Sequence, residues 1–139
     1  MDKPNVLIII TLHTPLDEST RGMVDEKRLR LMKNTGIIVN TARGPIVDEN
    51  ALHKALSLGW IGGAGLDVHA TEPPQLRALV ELENVVSTCH IAGLSDDASC
   101  AMAMQTVEKI IACLGGRIPP DVLTPGIDLP LKAVLPTAG

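Results

Sequence analysis

Four apolar runs along the chain predict the strands of a sheet. The first, Val6–Leu12, is rich in β-branched residues and does not alternate with polar ones. That pattern is typical of a parallel strand that is buried on both faces. The later runs are Gly36–Thr41, Ile61–Val68 and Asn84–His90.

Helical patterns separate and follow these runs. Each predicted helix begins near a residue that can cap it, Asp or Ser, and ends near a glycine. The predicted bounds are Asp25–Gly36, Asp48–Gly59 and Ser95–Gly115. Strands that alternate with helices predict an α/β fold, a partial Rossmann-like parallel sheet of about four strands with flanking helices.

The composition is that of a globular protein with few aromatic residues. Of the 139 residues, 45% are hydrophobic and 20% are charged, and one tryptophan is the only Phe, Tyr or Trp. A formal net charge of −4 and the lack of stacking side chains disfavour nucleic-acid binding. Three cysteines without metal-ligand spacing favour a reducing compartment, and no apolar run is long enough for a bilayer. We therefore expect a cytoplasmic protein without membrane contact and without a metal site.

Chemically reactive side chains follow the predicted strands. Ligands of a parallel α/β sheet bind beyond the carboxyl ends of its strands, so residues that follow different strands should meet at one edge. Arg43 can pair with a carboxylate, and His90 beside Glu72 can exchange a proton near neutral pH. These groups fit the interconversion of a 2-hydroxy acid and a 2-oxo acid, for which a cofactor must carry the hydride.

Four segments resemble, in order and spacing, the second half of the NAD-binding domain of the D-isomer-specific 2-hydroxyacid dehydrogenases. This family includes phosphoglycerate, glycerate, D-lactate and hydroxypyruvate enzymes. The resemblance covers about residues 6–117. Its segments are LHTPLDESTRGMV, MKNTGIIVNTARGPIVDENAL, GGAGLDVHATEPP and ENVVSTCHIAG.

The resemblance implies three catalytic residues. Arg43 matches the arginine that binds the substrate carboxylate and polarises the 2-oxo group. His90 matches the acid/base that protonates the carbonyl oxygen, and Glu72 matches the carboxylate that orients this histidine. The implied substrate is a small 2-hydroxy or 2-oxo acid.

The resemblance also implies NAD or NADP as the cofactor. Asp67 matches an acidic residue near the nicotinamide carboxamide. The other implied cofactor contacts lie in loops beside the dinucleotide and the nicotinamide ring: His13, Thr14, Pro15, Thr41, Ala42, Ala92 and Gly93.

The chain also departs from the family pattern. Cys89 stands where many relatives have proline, and His69 where many have an aromatic residue. No glycine-rich turn leads into a helix, so we expect the first half of the Rossmann domain to be missing. Residues 1–116 should form a partial NAD(P)-binding domain that carries the catalytic residues, and residues 117–139 an extended Pro-rich tail.

The missing half has two expected consequences. The chain alone should bind a dinucleotide weakly and turn over little substrate. The strand Val6–Leu12 should form an exposed apolar edge through which copies of the chain self-associate.

Two other functions are compatible with the same residues. One is a non-catalytic nucleotide-binding or interaction module of the corepressor type, and the other is an inert fragment. Binding of NADH, and its oxidation by glyoxylate or hydroxypyruvate, separate these from a dehydrogenase.

Overall fold

The computed structural model describes residues 7–120. Within them, four parallel strands form one sheet in the order β1-β2-β3-β4. The sheet and its helices confirm the predicted α/β class. The strands are β1 (Ile9–Leu12), β2 (Ile37–Asn40), β3 (Gly63–Leu66) and β4 (Val85–Ser87).

Helices connect the strands and follow the last one. They are α1 (Glu26–Leu29), α2 (Glu49–Ser57), α3 (Arg77–Val80) and α4 (Asp96–Leu114), and a short 3₁₀ turn spans Gly44–Ile46. The sequence pattern predicted neither α3 nor the 3₁₀ turn.

Helix α1 is much shorter than the predicted Asp25–Gly36. After Leu29 the hydrogen bonds span three residues instead of four, as in a 3₁₀ turn. The N–H of Leu31 donates to the carbonyl of Arg28, and the N–H of Met32 donates to the carbonyl of Leu29. Leu31 is 80% exposed, so burial of its side chain does not stabilise a further helical turn.

Helix α2 supplies much of the core and positions the residues that precede it. The carboxylate of Asp48 accepts hydrogen bonds from the backbone N–H groups of Asn50 and Ala51, each 3.0 Å long, as predicted for a cap. The helix buries one face among the residues of the core. The largest fully buried hydrophobic side chains of that core are Leu29, Ile38, Ile46, Leu52, Ile61 and Leu79.

Strand β1 is not buried on both faces, and that prediction is wrong. Ile9 is 56% exposed and Ile10 is 39% exposed. Among residues 7–120, β1 pairs only with β2 and forms one lateral edge of the sheet, as was expected for this strand, and its outer side is therefore uncovered. Self-association through this edge stays a prediction, and Val6 lies outside the described residues.

The chain divides into two compact units, with the boundary between Ala92 and Gly93. The second unit contains α4, whose bounds were predicted. The hydroxyl of Ser95 accepts from the N–H of Ala98, and Gly116 follows the helix with a φ of 76°. The predicted extended tail lies outside the described residues from position 121 onward. No helix within residues 7–120 is both long and apolar enough to cross a bilayer.

Candidate active site

The carboxyl ends of β3 and β4 form the wall of a cavity of about 630 Å³. The two strands are in register, with Leu66 beside Ser87, so the residues that follow them emerge at the same edge of the sheet. The cavity is lined by Asp67, His69, Glu72, Pro73, Pro74, Ser87, Thr88, Cys89, His90 and Ile91.

A carboxylate and an imidazole face each other in this cavity. Nδ1 of His90 donates to Oε2 of Glu72 over 3.0 Å, and the other carboxylate oxygen accepts from the backbone N–H of His69 over 3.2 Å. The hydrogen bond from His90 is the largest cause that lowers the pKa of Glu72, and the N–H of His69 is the second. Because Nδ1 faces the carboxylate, Nε2 on the far side of the ring is the nitrogen that can meet a ligand.

The turn that presents His90 is wrapped around the buried carboxylate of Asp67. The hydroxyl of Thr88 and the N–H of Ile91 donate to Oδ1, and the N–H of Ala92 donates to Oδ2. The carbonyl of Asp67 accepts from the N–H of His90 over 2.8 Å. Burial raises the pKa of Asp67, but the bonds from Thr88, Ala92 and Ile91 outweigh it, and the net pKa is lowered.

These bonds stabilise an uncommon backbone conformation. His90 has a φ of 59°, which is the left-handed region that residues with a Cβ rarely adopt. The surrounding contacts to Asp67 hold the residue in it. Asp67 therefore serves the chain's own turn, and its contact with a nicotinamide carboxamide stays a prediction.

Replacing Asp67 with asparagine should lower the free energy of unfolding by about 2 kcal/mol or more. Asparagine has an NH₂ group where Asp67 has one of its two acceptor oxygens, so a buried donor would lose its acceptor. Urea unfolding measures this. Glu83→Gln, at an exposed position, is the control and should change stability by less than about 0.5 kcal/mol. An equally small effect of Asp67→Asn would contradict the arrangement.

The difference in the free energy of unfolding between the Asp67→Asn variant and the parent chain should also depend on pH. The folded chain lowers the pKa of Asp67, so its stabilising effect is present above the unfolded value of 3.8 and is lost as the pH falls through the folded value. Unfolding curves at neutral pH should therefore differ more than those below about pH 4.

Asn40 shapes the turn that carries Arg43. This asparagine ends β2 and is 1% exposed. Its amide donates to the carbonyl of Arg43 over 3.0 Å, and its side-chain oxygen accepts from the N–H of Ala42 over 3.1 Å.

Nη1 of Arg43 donates to the carbonyl of Ala42 over 2.7 Å, and Arg43 is exposed. The groove here has about 330 Å³ and is lined by His13, Thr14, Pro15, Thr41, Ala42 and Arg43.

Gly44 brings the Arg43 turn into contact with the loop that carries Glu72. A Cβ built on Gly44 would lie 1.9 Å from the carbonyl carbon of His69 and 2.4 Å from the nitrogen of Ala70. Only a residue without a side chain permits this approach. The two turns are therefore packed backbone to backbone.

The structure separates the predicted site residues into two sets at one sheet edge. Asp67, Glu72 and His90 line the larger cavity, whereas Arg43 and the predicted cofactor loops line the smaller groove. The N–H of Ala92 donates to Asp67, and Gly93 is the first residue of the second unit.

Several residues of the site were missed by sequence reasoning. Gly44, Glu49 and Thr88 act through contacts with the distant residues His69, Ala70 and Asp67, and a single position gives no signal for such contacts. Asn40 acts within its own turn, through its bonds to Ala42 and Arg43. His69 was noted only as a departure from the family pattern. Within residues 7–120, no group of three or more His, Cys, Asp or Glu side chains could hold a metal ion.

Comparison with known proteins identifies the family. Residues 7–92 match the family described as D-isomer specific 2-hydroxyacid dehydrogenase, NAD binding domain. A glyoxylate reductase from Korarchaeum cryptofilum is 49% identical over 82% of this chain and 35% of its own length. One from Thermococcus litoralis is 46% identical over 82% of this chain and 34% of its own length. The chain thus spans about a third of the length of these relatives.

Solved structures agree in fold. The NAD-complexed D-isomer specific 2-hydroxyacid dehydrogenase of Lactobacillus delbrueckii has a TM-score of 0.76 at 35% identity, over 84% of this chain and 40% of that one. The NADPH-dependent glyoxylate/hydroxypyruvate reductase of Sinorhizobium meliloti has a TM-score of 0.71 at 36% identity, over 75% of this chain and 33% of that one. The chain therefore belongs to the D-isomer specific 2-hydroxyacid dehydrogenase family, with residues 7–92 matching its NAD-binding domain.

Proposed function

We propose that this chain carries the proton-transfer and carboxylate-binding residues of an NAD(P)-dependent dehydrogenase that interconverts 2-oxo and 2-hydroxy acids. The observation that carries the proposal is the 3.0 Å hydrogen bond between Nδ1 of His90 and Glu72, in a cavity at the carboxyl edge of the sheet. Family membership and the fold support it. Residues 1–116 would then form the partial nucleotide-binding domain.

His90 acts as the acid in the direction of reduction. Its Nε2 gives a proton to the carbonyl oxygen of the 2-oxo acid while C2 receives a hydride, and the product is the 2-hydroxy acid. Glu72 accepts from Nδ1, so it fixes the ring and stabilises the imidazolium before transfer. The same two residues run the proton step backwards in oxidation. A bound nicotinamide supplies the hydride.

Arg43 holds the substrate carboxylate. One of its guanidinium nitrogens is engaged with the carbonyl of Ala42, and the planar group has further N–H donors for an anion. The contact between Gly44 and His69 keeps its turn beside the loop of Glu72, as a substrate that spans both groups requires.

The groove beside Arg43 fits part of a nicotinamide dinucleotide. Its lining combines two threonines and a proline with the imidazole of His13 and the guanidinium of Arg43, groups that can bind the hydroxyls of a ribose or the oxygen of a carboxamide. His13, Thr14, Pro15, Thr41 and Ala42 would contact the cofactor there. The relatives named glyoxylate reductase favour glyoxylate as the substrate, and neighbours bound to NAD and to NADP support either cofactor.

Binding and turnover test the proposal separately. Addition of NADH should shift the backbone amide resonances of Thr41–Arg43, and glyoxylate should then cause slow NADH oxidation at high protein concentration. Trp60 is a poor reporter, since it precedes β3 at the end opposite Asp67 and packs under Arg30. Shifts without oxidation would favour the corepressor-type module, and neither response would favour an inert fragment.

A further inference from the structure

His69 is a buried histidine that the proton-transfer chemistry does not use. Its side chain is 3% exposed, and its Nδ1 lies 3.5 Å from Oε1 of Glu49, whose side chain is 13% exposed. Among residues 7–120, Nδ1 has no hydrogen-bond partner. On the other side of the ring, Nε2 lies 2.8 Å from the hydroxyl of Ser87.

The carboxylate of Glu49 decides which ring nitrogen of His69 carries the proton. A lone pair on Nδ1 would face a negative oxygen at 3.5 Å, whereas an N–H there is attracted to it. Nδ1 is therefore the protonated nitrogen, and Nε2 accepts from the hydroxyl of Ser87. The ring is held between the first turn of α2 and β4.

The same pair of residues is linked to Glu72 through the backbone. Oε1 of Glu49 accepts from the N–H of Ala70 over 2.8 Å. The preceding N–H, that of His69, donates to Glu72, whose other oxygen accepts from His90. Glu49 thus anchors the His69–Ala70 peptide, which is next to the N–H of His69 that donates to Glu72.

Gly44 closes the other side of this peptide. The carbonyl of His69 would be 2.0 Å from a Cβ on Gly44, so the peptide lies directly on the backbone of the Arg43 turn. Contact with Gly44 and the hydrogen bond to Glu49 together leave the peptide little freedom to rotate. The N–H of His69 belongs to the preceding peptide, and a fixed His69–Ala70 peptide limits how far this N–H can turn away from Glu72.

We propose that Glu49 and His69 are positioning residues, which fix the His69–Ala70 peptide and through it the carboxylate of Glu72 against His90. The catalytic role of His90 rests on the proposed function, whereas the positioning of Glu72 by these two residues does not. Nothing in the resemblance assigns a role to either residue, and His69 departs from the aromatic residue of many relatives.

Two substitutions of Glu49 separate anchoring from charge. Glu49→Gln and Glu49→Ala remove the same negative charge, but only glutamine keeps an oxygen that can accept from Ala70. Carboxyl ¹³C NMR should give a higher pKa for Glu72 in the alanine variant than in the glutamine variant, because the N–H of His69 no longer holds the carboxylate firmly. The Ala70 amide, which loses its acceptor, should exchange about tenfold faster in the alanine variant, as expected for loss of a typical hydrogen bond. The His69 amide should also exchange faster, because its bond to Glu72 is no longer held in place.

Equal Glu72 pKa values and equal His69 exchange in the two folded variants would overturn the proposal. Should the alanine variant not fold, His69→Phe tests the same link, since it keeps an aromatic ring and the backbone donor but removes the ring nitrogens that face Glu49 and Ser87. Its Glu72 pKa should rise above that of the parent chain, and an unchanged value would overturn the proposal. None of these measurements uses a cofactor or substrate, so failure of the proposed dehydrogenase activity would leave their outcome unaffected.

Discussion

Replacing His90 with asparagine should slow glyoxylate-dependent NADH oxidation by about 10²–10⁴-fold, the usual contribution of a positioned acid/base. The asparagine amide can still donate to Glu72 in place of Nδ1, so the loop should keep its anchor. What is lost is the nitrogen that gives the proton to the carbonyl oxygen. Initial rates at saturating NADH measure the effect, which should fall on kcat more than on KM.

His53→Asn is the matched control for this substitution. His53 lies on α2 and does not line either the larger cavity or the groove beside Arg43. Its replacement should leave the rate within about twofold, a change below about 0.5 kcal/mol. An asparagine at position 90 that is as active as this control would remove His90 from the reaction.

Replacing Gly44 with alanine should destabilise the chain by about 1–3 kcal/mol or more. The new methyl group would lie about 2 Å from backbone atoms of His69, and a backbone cannot move aside as a flexible side chain can. The turn of Arg43 and the loop of Glu72 would have to separate. Thermal or urea unfolding measures the loss of stability.

Gly65→Ala adds the same methyl group where there is room for it. The nearest atom there is a side-chain carbon of Val39 at 3.6 Å, which is an ordinary contact. This control should change stability by less than about 0.5 kcal/mol. If Gly44→Ala were equally mild, the close packing of the two turns would be wrong.

Local signals predicted the helices that have strong caps. The side chains of Asp48 and Ser95 accept from the N–H groups of their own first turns, so the start of α2 and of α4 could be predicted from neighbouring residues alone. The apolar run of β1, taken by itself, wrongly predicted burial on both faces. Its exposure followed only from the expected absence of a neighbouring strand. The early end of α1 shows the same limit, because the exposure of Leu31 beyond it depends on which elements pack nearby.

The candidate site was predictable in its location but not in its conformation. The strand-end rule places Arg43, Glu72 and His90 at one edge from chain order alone. It does not reveal the left-handed backbone of His90 or the bonds from the following turn to Asp67, which was expected to face the cofactor. These features arise from contacts between the loop that follows β3 and the loop that follows β4. The two loops are far apart in sequence, so no short segment contains both.

Transfer of deuterium tests most directly whether the Glu72–His90 pair serves a 2-hydroxyacid dehydrogenase. The chain would be incubated at high concentration with glyoxylate and NADH deuterated at C4 of the nicotinamide, and the glycolate analysed by mass spectrometry. The account predicts glycolate with deuterium at C2 from the parent chain, and at most a trace from His90→Asn. Absence of deuterated glycolate after prolonged incubation, or equal amounts from both proteins, would contradict it.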